Sequence, residues 1–236
     1  MTNYSSGKLF FELPQKHLLE INTYWFVLVL GIGQIIPRVY VNQFLQLQQV
    51  LEFLLLFPWA LTQILLLRTL KNAVLYTLSQ LLLLICAVGI GVHSATNHLS
   101  FYRSTESMDE LIYYYDEIFS HYLVWNGYFA VLLLIVFFGA NIIGLTRSRI
   151  FYPSAIIHGL LLAVACIEGQ SVYILYGYLF LLGVMILWSR ASQGVCCNSI
   201  FRDYYGTSAA VAFVVVTAWG IYFGGFPEPS QLGLVK

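Results

Sequence analysis

Apolar stretches close to 20 residues long recur along almost the whole of this 236-residue chain, and that recurrence decides the solvent in which it folds. A run of that length crosses the ~30 Å hydrocarbon layer of a bilayer as a helix. No water reaches the backbone there, so each N–H and C=O must find its partner within the segment. The runs fall at 23–41, 49–67, 73–95, 119–145, 153–167, 172–188 and 207–223. They predict an all-α, polytopic integral membrane bundle of about seven transmembrane helices. Gly169 and Gln170 interrupt the fifth run after a short span, which predicts a tight hairpin between helices five and six and leaves a six-helix arrangement with a re-entrant segment open. Charged residues make up 9% of the chain, against about 25% in a soluble domain. One membrane domain, 23–225, is therefore expected between a cytoplasmic N-terminal segment, 1–22, and a C-terminal tail, 226–236.

Orientation follows from the bias of Lys and Arg toward cytoplasmic loops. Lys8, Lys16, Arg68, Lys71, Arg147, Arg149, Arg190 and Arg202 fall on the N-terminal side, against Arg38, Arg103 and Lys236 on the other. The N-terminus is expected inside and the C-terminus outside, in a multi-pass protein of a cell, inner or organelle membrane. The first segment mixes Lys8, Glu12, Lys16 and Glu20 with apolar residues and shows no small-residue cleavage site, so it reads as retained. The formal net charge is zero, and without a basic run or a glycine-rich phosphate loop nucleic acid is not an expected partner. The bilayer is, together with a lipid or hydrophobic small molecule and other membrane proteins. Cys86 and Cys166 lie in apolar runs, and the adjacent Cys196 and Cys197 read as loop cysteines rather than a disulfide framework.

Acids divide the other way: Glu52, Glu106, Asp109, Glu110, Asp116, Glu117, Glu168 and Glu228 fall at or near the outer side. Several lie in the connection 97–118, which reads as a solvated acidic loop. Tyr24, Trp25, Trp59, Tyr113, Tyr114, Tyr115, Trp125, Trp188, Trp219 and Tyr222 stand near helix ends, as an interfacial aromatic belt would. Gly89, Gly91, Gly177 and Gly183 suit close helix approach. Gln80, Asn126 and Asn141 would extend polarity into the bundle. No internal repeat stands out, which weakens a transporter built from duplicated halves.

The informative residues are histidines in or beside the apolar runs, because ionisable groups there are costly and face a cavity or a partner. His93 and Asn97 share a helix face, with His98 one residue further round; Glu117 with His121, and Asp116 with Ser120, are likewise four apart. By the topology above these groups meet Glu52 and Glu168 at one depth. Imidazole and carboxylate are ordinary ligands of zinc, and two histidines with one carboxylate suit iron. Candidate ligands are His93, His121 and one of Glu117 or Asp116, with His98 or Glu168 as a fourth. A carboxylate left unligated, such as Asp116, would serve as general base, and Ser120 or Asn97 would stabilise an oxyanion. His158 is a further candidate ligand, but ten residues of helix set it roughly 15 Å from Glu168. It joins the cluster only if its helix is displaced, tilted or re-entrant. The plainer reading makes these groups hydrogen-bonded pairs that fix helix packing, at about 1–2 kcal/mol each.

Seven helices with His93, Asp116, Ser120 and His121 resemble the broad superfamily of membrane metal-dependent hydrolases that includes alkaline ceramidases and progestin and adiponectin receptors. The resemblance implies zinc-dependent attack on a lipid amide or ester. Those families carry a late His-x-x-x-His pair, whereas this chain has no histidine after His158, so the metal geometry would differ. Glu117-x-x-x-His121 after a Tyr-Asp step is also similar to small uncharacterised bacterial inner-membrane proteins, which implies no activity. A membrane metalloenzyme is one expectation; a channel, transporter or proton-coupled carrier, or an assembly subunit of a membrane complex, are the others.

Overall fold

The structure is a computed structural model that describes residues 17–35, 39–42, 45–99, 105–139, 147–191, 199–229 and 231–234. Among these, helices dominate: α1 (Leu18–Ile35), α2 (Leu47–Leu67), α3 (Ala73–Leu99), α4 (Glu106–Tyr113), α5 (His121–Phe138), α6 (Phe151–Glu168), α7 (Val172–Ala191) and α8 (Ser199–Phe223). A π-helical stretch, Tyr114–Ser120, joins α4 to α5 without a break, so the described residues form seven helical rods. A short antiparallel strand pair, β1 (Tyr40–Asn42) with β2 (Leu45–Gln46), lies between α1 and α2. Four helices are long and apolar enough to cross a membrane: Ala73–Leu99, Glu106–Phe138, Phe151–Glu168 and Ile200–Phe223. Leu18–Val29, Leu54–Leu67 and Val172–Trp188 are shorter apolar helices.

The rods alternate in direction. The end of α2 and the start of α3, α6 and α8 share one end of the bundle, where Arg147 pairs with Asp203 and Ser148 donates to Glu20 at 2.6 Å. The end of α3, the π-helical stretch, the end of α6 and the C-terminal tail share the other, acidic end. α3 packs along α5 and α6 along α8, while α1 lies against α2 and α6. Glycine sets two of these approaches. A Cβ on Gly159 would strike the Ser208 carbonyl of α8, and one on Gly127 would sit 2.7 Å from the Leu82 carbonyl of α3. Gly89 does the same for α3 against Ser120 and Val124, but at Gly91, Gly177 and Gly183 an added Cβ would meet nothing within 4 Å. Those three are not packing glycines.

Several sequence expectations are corrected. Residues 106–118 are helical rather than a loop, because Thr105 caps α4 through Met108 N and Glu106 and Asp109 occupy its first turn, where acids complement the helix dipole. The resulting 33-residue rod is about 50 Å long, well beyond the ~30 Å hydrocarbon layer, so its polar first turns have room outside that layer. α1 begins at Leu18, not 23, and buries Leu18, Leu19, Glu20 and Asn22. The fifth apolar run is a regular 18-residue helix, long and apolar enough to cross a membrane, that turns through Gly169–Ser171 into α7. Trp59 and Trp125 belong to the core, 7% and 5% exposed, and pack on Tyr128 with ring centroids 5.8 and 6.2 Å away. Gln80 and Asn126 are exposed, and Asn126 bonds back to the Tyr122 carbonyl, so neither carries polarity into the bundle. Asn141, Cys196 and Cys197 and the side chain of Glu52 lie outside the described residues.

Candidate functional site

The acidic end gathers most of the chemistry anticipated. His93 comes from the last two turns of α3; Asp116, Glu117 and His121 come from the π-helical stretch and the first residue of α5. A π-helical turn widens the backbone, and such turns occur frequently at functional sites. His93 Nδ1 lies 2.8 Å from Asp116 Oδ1, yet off the line of a hydrogen bond. Thr96, one turn on, donates to the same oxygen at 3.1 Å, and Asn97 Nδ2 stands 3.2 Å from His93 Nε2. The amide donates there, which leaves the His93 proton on Nδ1, toward the carboxylate.

His121 is held differently. Its Nδ1 lies 2.8 Å from the Glu117 carbonyl oxygen and 3.5 Å from Glu117 Oε2. A carbonyl only accepts, so Nδ1 carries the proton and Nε2 keeps its lone pair. The two imidazole centroids are 4.8 Å apart. Gly169, beyond α6, closes over the His121 ring, where a Cβ would come within 2.7 Å of Nδ1. The side chains of His93 and His121 remain 34% and 16% exposed, and Asp116 9%. The cluster is therefore sheltered but reachable.

Other anticipated residues have different surroundings. Glu168 ends α6 half-buried, within electrostatic range of Glu117. His98 sits on the last turn of α3, where a basic group suits the helix terminus. Ser120 is fully buried and donates back to the Asp116 carbonyl, so its hydroxyl is spent within its own helix rather than offered to an oxyanion. The tail adds Glu228, which sequence reading left out of the site: it is buried, accepts from Tyr113 OH at 3.2 Å and lies within electrostatic range of Glu117. Nothing local in the sequence marks a contact that spans 115 positions.

His158 is not part of this cluster. It is fully buried midway along α6, with Nε2 2.9 Å from Tyr128 OH and Nδ1 2.7 Å from Ser208 Oγ. Phe26, Tyr128, Tyr204 and Tyr205 surround the ring. Asn22 approaches Tyr128 and Tyr205 and accepts from Gln63. This second polar knot is uncharged and deep in the core.

A metal would need three or more such donors converging on one point. Among the described residues no group of three His, Cys, Asp or Glu side chains is so placed; the donors at the acidic end stand as two pairs, His93 with Asp116 and His121 with Glu117. Compared with protein-family models, curated proteins and solved structures, the chain matches none.

Proposed function

We propose that this chain is a multi-pass membrane protein, its seven rods all crossing the bilayer with the N-terminus inside and the acidic end outside, and that the His93, Asp116, Glu117 and His121 cluster is the acid–base site of an enzyme. Its substrate is a lipid or another hydrophobic molecule, and the reaction is hydrolytic. One observation carries the enzymatic reading: two imidazoles from different helices lie side by side, each beside its own carboxylate, at a partly open position on the bundle. The chemistry follows from the hydrogen bonds. His121, with its proton held by the Glu117 carbonyl, offers Nε2 to take a proton from an attacking water. His93, backed by Asp116, accepts from the Asn97 amide at Nε2; with that amide displaced, the same nitrogen takes up a proton and, as imidazolium, donates it to a substrate oxygen. Glu117, Glu168 and Glu228 form an acidic rim that disfavours anionic groups close to the imidazoles. The resemblance to the membrane hydrolases points to an amide or ester as the bond attacked.

Zinc or iron is a second reading, favoured by two imidazoles and two carboxylates gathered at one end of the bundle. The donor types suit either metal, but the side chains of His93, His121 and Glu117 would have to turn onto a common point to hold it. The enzymatic reading is tested with purified protein in lipid nanodiscs offered a panel of amide- and ester-linked lipids. His121→Ala is expected to lower turnover by about 10²–10⁴-fold, the usual worth of a positioned acid or base, with the fold retained. Turnover at the wild-type rate in that variant would remove the assignment. Elemental analysis of the same samples reads metal dependence: near-stoichiometric zinc or iron that disappears in His121→Ala supports the second reading.

A further inference from the structure

α7 and α8 meet through Tyr176 with Phe213 near one end and leave between them an apolar groove of about 540 Å³, within the ~300–1,000 Å³ typical of small-molecule sites. Phe180, Gly183 and Ile186 line it from α7, and Gly206, Ala210 and Phe213 from α8. The groove runs along the helices, from Tyr176 to Ile186, about 15 Å at the rise of an α-helix. Its small residues hold it open. A Cβ on Gly183 would meet nothing within 4 Å, and one on Gly206 only the tip of Ile186 at 3.9 Å. Gly159 and Gly127 show the opposite case, in which glycine lets a neighbouring backbone come close. A long, narrow, uncharged space open along its side has the shape and polarity of a hydrocarbon chain.

The groove also leads toward the histidine cluster. At its acidic-end limit Tyr176 OH and Thr217 Oγ1 are 3.3 Å apart, and Phe226 of the tail packs on Tyr176 with centroids 6.3 Å apart. The tail is pinned there by Gln170 Nε2, which donates to the Phe226 carbonyl, and by Trp219 Nε1, which donates to the Pro227 carbonyl at 3.1 Å. Glu228, two residues past Phe226, already touches Tyr113 and lies in range of Glu117. Two residues of chain span at most about 7 Å. One short stretch of tail therefore touches both the polar end of the groove and the residues around the acid–base site.

We propose that the α7–α8 groove holds one hydrocarbon chain of the lipid on which the outer cluster acts, so that the polar linkage at the head of that chain emerges beside Tyr176 and reaches His93 and His121. This assignment of the substrate's tail rests on the enzymatic reading of that cluster. The test uses full-length protein in nanodiscs doped with a phosphatidylcholine that carries a diazirine midway along one acyl chain, with the photolabel mapped by mass spectrometry. Gly183→Leu and Ala210→Leu fill the groove, and Gly183→Leu does so where an added side chain has room, so folded protein is expected. Label is expected to concentrate on 206–213 in the wild type and in His121→Ala. It should be lost there in the filled variants, while label on the exposed residues Leu81 and Leu84 of α3 stays the same. Equal labelling of α8 and α3, or label on 206–213 that survives filling, overturns the proposal. Exclusion of label together with a dimeric mass that Gly183→Leu makes monomeric overturns it in favour of a helix from a second copy. The two readings fail separately. Groove label without turnover of any lipid keeps the chain site and removes the enzyme, whereas turnover with no groove label does the reverse.

Discussion

The two histidine environments differ in every respect that separates packing from chemistry. His158 is fully buried, both of its nitrogens bond to neutral hydroxyls, and aromatic rings enclose it. His93 and His121 are partly exposed, sit beside carboxylates and lie against each other. In a low-dielectric interior, a neutral ring bonded at both nitrogens holds its neighbouring helices in place and is costly to break. Groups that keep a lone pair, an acid partner and access are the ones that can exchange protons with a substrate. The same residue type is thus read as a core bond in one place and as a reagent in the other, on the strength of its partners and exposure.

Substitutions can break this contrast in order of size. Gly159→Leu drives a side chain into the Ser208 carbonyl and should force α6 from α8. The overpacking costs about 3 kcal/mol or more, and loss of folded protein in size-exclusion chromatography is the readout. His158→Phe keeps a ring but strands Tyr128 OH and Ser208 Oγ. A cost of about 1–3 kcal/mol is expected for such unsatisfied groups, seen as a lower thermal midpoint in detergent, with turnover per folded molecule unchanged. A catalytic defect without a stability defect would reverse the assignment of the two sites. Asp116→Asn keeps the shape beside His93 and removes its charge. About 10–100-fold of the activity should go, the range for groups that orient a working imidazole, with little change in the midpoint. Gly177→Ala points into open space and should stay within about 0.5 kcal/mol of wild type. A large loss there would mean that something covers that face.

Much of the bundle is legible in the sequence because apolar runs and helices coincide. What escapes is polar helix. Residues 106–118 carry no apolar run, and only the Thr105 cap and the acidic first turn mark the helix that the structure shows. The short strand pair after α1 is too brief for an alternating pattern to announce it. At the site, i and i+4 spacing is enough to put Asn97 beside His93 and His121 beside Glu117, since those contacts are local. The meeting of His93 with Asp116 needs two helices in register and is legible only through topology. Thr96, Gly169, Tyr113 and Glu228 enter through tertiary contacts that spacing does not reveal. The separation of His158 from the acidic-end groups follows from helical rise alone, whereas its hydroxyl partners on α5 and α8 do not. Trp59 and Trp125 look like interfacial residues by position and turn out to be core, because the aromatic knot around Tyr128 draws them inward.

The central claim, that chemistry resides at the acidic end and not at the buried histidine, is tested most directly by a paired measurement of lipid amide and ester turnover and of thermal midpoint in wild type, His121→Ala and His158→Phe. The account predicts that His121→Ala loses about 10²–10⁴-fold in turnover at a nearly unchanged midpoint, while His158→Phe melts earlier and turns over normally per folded molecule. Full turnover in His121→Ala, or a turnover loss confined to His158→Phe, would contradict it.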